Sequence, residues 1–149
     1  MGLDMFLYRR EKHSNDRTEF AYWRKANAIL NWFDHNLDTV KRQEFDYDGK
    51  DKREEYKEGR FTREGVKNCA YYKVTKDEYH KLIDDCKQVL TLKEKPDKIP
   101  DDLKPCEGFF FGGKEVDEWY WGDIQDTIDM LTEKEPDWEN DILEFFIWY

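Results

Sequence analysis

Six Trp, nine Tyr and ten Phe are spread along a 149-residue chain of which 40% is charged and only 38% is hydrophobic. The charge alone would place such a chain near the disordered class, which is poor in aromatic residues. The rings decide otherwise. Each removes roughly 150–250 Å² from water when buried, and a chain of this length can bury about two-thirds of its unfolded surface. The composition therefore predicts a single folded domain over 1–149, with an aromatic core and a charged skin.

Periodicity places the elements. Residues 2–9 alternate, with Leu3, Met5 and Leu7 on one side and Asp4, Phe6 and Tyr8 on the other, which predicts a strand. Trp23, Ala26, Ile29, Phe33 and Leu37 recur at helical spacing and predict an amphipathic helix over about 20–37. Residues 69–74 read as a second strand. Thr75 with Glu78 three residues on is a capping box, and it opens a helix carried by Tyr79, Leu82, Cys86 and Val89. Phe109-Phe110-Phe111, closed by Gly112-Gly113, reads as a short buried strand. Tyr120, Ile124, Ile128 and Leu131 define a third helix that stops before Pro136, and 142–149 is a last strand. The expected fold is α+β: a small antiparallel or mixed sheet of about four strands, with three helices on one face.

Residues 38–67 differ in character. Between Lys41 and Lys67, 17 of 27 residues are charged, nine basic and eight acidic. That near-cancellation fits a solvated excursion better than a nucleic-acid arm. Asp48-Gly49 is a two-residue turn signal, so an exposed charged hairpin or a mobile excursion is expected there.

The charge of the rest is lopsided. Twelve of the thirty residues 115–144 are acidic and only Lys134 is basic, a local charge of −11 against −10 for the whole chain. The window also holds Trp119, Tyr120, Trp121 and Trp138, rings that suit contact surfaces. On the third helix Asp123, Asp126, Asp129 and Glu133 form one stripe, although like charges at that spacing oppose helix stability. With Asp117 and Glu118 they make the expected protein-binding surface, directed at a partner with a basic surface. A net charge of −10 argues against direct nucleic-acid binding.

Other chemistries find little support. Ser14 is the lone serine and lacks a nucleophile-elbow pattern. Cys69, Cys86, Cys106, His13, His35 and His80 show no zinc spacing. The segment from Asp46 to Asp51 has its Gly two positions early for a calcium loop, and Gly112-Gly113-Lys114 is followed by Glu115 where a phosphate loop needs Ser or Thr. No catalytic residue, metal or cofactor is expected. The alternative is a small enzyme or ligand-binding domain with a polar pocket around Asp4, Tyr22, Arg24 and Asn27, in which Arg24 and Asp4 would form an ion pair. Three cysteines leave one unpaired in any disulfide scheme, and there is neither a basic leader nor a long apolar run. The expected setting is cytoplasmic, with no membrane partner.

The segments taken together resemble a family of small bacteriophage and prophage proteins. That family opens with M-G-L-D-M-Y-L, here Met1 to Leu7 with Phe6 for the Tyr. It carries Y-W-R-K-A-N-A-I-H-x-W-F, here Tyr22 to Phe33 with Leu30 for the His, a C-x-x-Y-x-V-S/T junction at Cys69 to Thr75, and G-F-F-F-G-x-x-x-x-D-E-W-Y at Gly108 to Tyr120. A Ser-rich C-terminus in the family is replaced by Phe146-Ile147-Trp148. The resemblance implies a phage setting in a bacterial host and brings no activity with it. Combined with the acidic stripe, it leads to the expectation of an accessory protein that docks on a host or defence protein, such as an anti-CRISPR-like inhibitor of a nucleic-acid-binding enzyme.

Overall fold

The computed structural model describes residues 2–37, 42–45, 51–52, 66, 69–105 and 115–148. The strands are β1 (Asp4–Glu11), β2 (Thr18–Arg24), β3 (Arg42–Phe45), β4 (Asp51–Lys52), β5 (Ala70–Val74) and β6 (Asp141–Trp148). The helices are α1 (Asn27–Asn36), α2 (Lys76–Leu90) and α3 (Glu118–Glu133). All strands join one sheet in the order β2-β1-β6-β5-β3-β4, and every neighbouring pair is antiparallel. The fold is α+β, as the sequence predicts. β3 and β4 pair through Glu44–Lys52 and Phe45–Asp51, within the charged excursion. The expected Asp48-Gly49 turn, the 109–111 strand and Cys106 lie outside the described residues.

One expectation fails. The helix expected over about 20–37 is a strand and a shorter helix. β2 alternates, with Ala21 and Trp23 buried and Tyr22 and Arg24 exposed. Its Phe, Tyr and Trp suit a pleated, half-buried surface. Lys25 then takes a left-handed conformation, φ 56°, which breaks the strand and lets α1 begin at Asn27. Trp23 mimics a helical position only because a residue three places before Ala26 also falls on the inner face of the strand. Arg24 and Lys25 therefore belong to a strand end and a turn rather than to a helix.

The helices lie on the inner face of the sheet. Leu3, Met5, Leu7, Tyr72, Val74, Leu143, Phe145 and Ile147 are buried beneath them. Phe33 stacks on Phe145 with ring centroids 3.9 Å apart, and Trp23 meets Phe33 edge-on. The capping box of α2 forms in both directions between Thr75 and Glu78. Buried rings also carry polar ties between elements. Trp32 Nε1 donates to Asp85 across α1 and α2, 2.9 Å. Tyr79 donates from α2 to the Leu131 carbonyl of α3, and Tyr120 donates to the Leu103 carbonyl, 2.8 Å. Burial pushes the Tyr79 and Tyr120 phenols up from their ordinary range.

The outer face carries a second aromatic layer. Phe6, Tyr8, Tyr22, Tyr71 and Phe146 form a chain of ring contacts across β2, β1, β6 and β5. Glu144 lies on this face yet is only 2% exposed. It accepts from Arg10 at 2.7 Å and Arg17 at 3.2 Å, and the Arg17 guanidinium sits 3.8 Å from the centre of the Tyr71 ring. Asp141, also buried, accepts from Arg9 at 2.9 Å. No helix among the described residues is long and apolar enough to cross a membrane.

Candidate functional site

α3 divides its residues cleanly. Tyr120, Ile124, Thr127, Ile128 and Leu131 are buried. Asp126, Asp129 and Glu118 are exposed and Asp123 is half-buried. Spacings of three residues put Asp123, Asp126 and Asp129 in one row. That row borders β2, and the two elements enclose a groove of about 610 Å³. Tyr22, Trp23 and Arg24 line one side. The aspartates, Glu118, Trp119, Gly122 and Met130 line the other. Gly122 leaves the row open, since a Cβ there would meet nothing within 4 Å.

The groove has a rigid back wall. Trp23 is 3% exposed and its Nε1 donates to Thr127 Oγ1, 2.8 Å. The Thr127 hydroxyl donates in turn to the Asp123 carbonyl, 2.7 Å. A buried bond of this kind is worth about 1 kcal/mol net, and the Trp23–Thr127 bond joins β2 to α3. Trp119, by contrast, is 83% exposed. It is the aromatic of the acidic window that faces solvent. Tyr120 is core, Trp121 packs edge-on against Tyr120, and Trp138 packs edge-on against Tyr79.

The electrostatics are one-sided. Burial, then the neighbouring Asp126, then Asp117 push the Asp123 carboxyl up to about 6. Gln125 donates to Asp129, 2.9 Å. No cation pairs with Glu118, Asp123, Asp126 or Asp129 among the described residues. Others of the window's acids have partners, Glu135 with His80 and Asp137 with Asn140 among them. Asp117 caps α3 by accepting from the Tyr120 N–H, 3.1 Å, and Asp141 and Glu144 are neutralised by arginines of the β1 region. Glu133 continues the stripe but does not line the groove.

The alternative pocket is not gathered as expected. Asp4 accepts the Tyr22 hydroxyl, which raises the Tyr22 pKa through that bond first and burial second. Arg24 makes no ion pair with Asp4 or with any other described residue. Asn27 is buried at the start of α1, away from the groove lining. A larger groove, about 850 Å³, lies at the far end of β1 between 9–14 and 134–141. Its charges are of both signs; Arg9 pairs with Asp141, and the Asn140 amide donates to Asp137.

No group of three or more His, Cys, Asp or Glu among the described residues is arranged to hold a metal ion. Cys86 is buried and its thiol is pushed up to about 12, so it is inert. Cys69 is exposed. It has φ 60° at the entry to β5, where a turn brings its N–H to the Ile147 carbonyl, 2.9 Å. Trp119 and Gly122 were not assigned to the site from sequence. The signal was present: 119, 122, 123 and 126 share one helical face. Comparison of the chain with protein families, curated proteins and solved structures finds no match.

Proposed function

We propose that this chain is a binding protein that docks on a basic surface of another protein through the groove between β2 and α3. The observation that carries this reading is the row Asp123, Asp126 and Asp129, unpaired by any cation among the described residues and set beside an almost fully exposed Trp119. Carboxylates in a row attract and orient a cationic partner. An exposed Trp supplies the apolar anchor common at the centres of such contacts. The narrower form of the proposal is a phage accessory protein in a bacterial cytoplasm that covers the nucleic-acid site of a host or defence enzyme. A basic groove that releases counterions to DNA or RNA will also take a polyanionic surface.

The test is capture of partners from host lysate at low and high ionic strength, by the natural chain and by a variant with Asp123→Asn, Asp126→Asn and Asp129→Asn. We expect salt-sensitive capture of a basic protein by the natural chain, and association slowed by about tenfold or more in the variant at low salt. Equal capture by both would leave the row as a solvated helix face and end the proposal.

A further inference from the structure

We infer that the groove takes its partner as an extended, lysine- or arginine-bearing segment added as a strand on the open edge of β2. This deepens the reading above and rests on it. β2 is the terminal strand of the sheet, paired to β1 alone among the described residues. The Lys25 N–H donates to the Leu3 carbonyl, 2.8 Å, and this sets the phase of the β1–β2 ladder. Met5–Trp23 and Leu7–Ala21 are then the directly bonded pairs. Tyr22 and Arg24 must turn their N–H and C=O groups the other way, towards the groove they line. Neither residue has a main-chain partner on that side among the described residues.

An open edge is usually blunted by Pro, Lys, a bulge or a covering element. From Ala21 to Arg24, β2 has neither Pro nor Lys, and the one bulge lies earlier, opposite Leu7 and Tyr8. The side chain of Tyr22 does not cover the edge, because it packs against Phe6 and bonds Asp4 on the outer face. Main-chain pairing would supply affinity without sequence demand, and the acidic row would select the side chains. The spacing suits this. Six residues of helix from Asp123 to Asp129 rise about 9 Å, and alternate residues of a strand lie about 6.6 Å apart. Neighbouring basic side chains on one face of an added strand would each reach the row. A helix or a folded, loop-free surface would leave the edge groups unmatched. A second copy of this chain would bring its own aspartate row into the same neighbourhood, which like-charge repulsion opposes.

The experiment uses the full chain and a blocked peptide alternating Lys and Val, together with the same peptide N-methylated on the residues that would face β2. Amide hydrogen exchange of Tyr22 and Arg24 is followed by NMR. On saturation with the unmethylated peptide we expect both amides to slow by about tenfold or more, and the methylated peptide to bind about tenfold more weakly, the loss of one or two hydrogen bonds. Equal affinity for the two peptides, with no protection at Tyr22 and Arg24, would overturn strand addition. If that equal binding were abolished by the triple Asp→Asn variant, acidic docking would survive alone. Failure of both peptides to bind at low ionic strength would reject both readings. Protection of the two amides in a concentration-dependent dimer, without peptide, would assign the edge to a second copy and reject the basic segment.

Discussion

The acids of α3 and the acids of β6 belong to one run of sequence and behave in opposite ways. Among the described residues, no cation pairs with Asp123, Asp126 or Asp129 along their open groove. Asp141 and Glu144 are buried, and arginines from the far end of the chain neutralise them. Linear charge density therefore overstates the binding surface. A window of −11 contributes to the groove only the few carboxylates that the fold leaves without partners. A buried, paired acid is part of the architecture. A clustered, unpaired one opposes the fold and is free to meet a ligand.

The comparison breaks first at Glu144. Its side chain is 3% exposed, and those of Arg10 and Arg17 are 11% and 12%. Removing one partner leaves two guanidinium groups facing a void. We expect Glu144→Ala to cost about 3–5 kcal/mol, as for other broken buried pairs. Urea unfolding measures it. A loss under about 1 kcal/mol would place Glu144 in the same class as the helix acids.

Trp23→Phe asks whether α3 is held to the sheet by packing alone. The substitution keeps most of the ring contact with Phe33 and deletes the bond to Thr127. We expect a loss of about 1–3 kcal/mol, from one unmet buried group and the smaller ring. Unchanged stability would mean that the β2–α3 tie contributes nothing to the groove's back wall.

Asp123 sharpens the contrast through pH. Its folded carboxyl titrates near 6, against an ordinary value of 3.8. The folded state therefore holds the proton more tightly than the unfolded chain does. The sign follows by linkage: the contribution of Asp123 to stability is most favourable below about 3.8 and falls as pH rises towards 6, where the penalty is complete. Two pKa units correspond to nearly 3 kcal/mol, but the group is well solvated on one side, and screening reduces the expected effect to about 1 kcal/mol. Asp123→Asn should stabilise the protein by that amount at neutral pH and by almost nothing near pH 3. A gain that did not depend on pH would mean that the carboxylate's charge is not its source.

Much of this architecture was legible because it is local. Leu3, Met5 and Leu7 alternate within one strand, and Thr75 and Glu78 sit within one helical turn. The failures share a cause as well. Arg10 and Arg17 lie 134 and 127 residues from Glu144, so no window of sequence could show that this acid is neutralised. The left-handed turn at Lys25 is equally silent, because Lys is no marker of positive φ. Without that turn, Trp23 extends the helical pattern of α1 without a break. The site itself was half legible. The aspartate row followed from spacing, but the opposing wall is β2, and the row becomes a groove only once β2 is known to be a strand.

Trp119 should give the smallest effect on stability and decide the most about function. Its ring makes no aromatic or hydrogen-bonding contact with a described residue and is 83% exposed. Substitutions at such positions stay within about 0.5 kcal/mol, so Trp119→Ala should unfold at the same urea midpoint as the natural chain. An exposed Trp beside a row of carboxylates is otherwise unexplained by the fold. If the groove docks a partner, the ring is its apolar anchor, and its loss should weaken capture by about tenfold or more, mainly through faster dissociation. The aspartate variant should instead slow association, because steering charges act on the approach. Surface plasmon resonance of the two variants against the captured partner separates these effects. Trp119→Ala with unaltered dissociation would remove the anchor and leave the carboxylates to account for all of the binding.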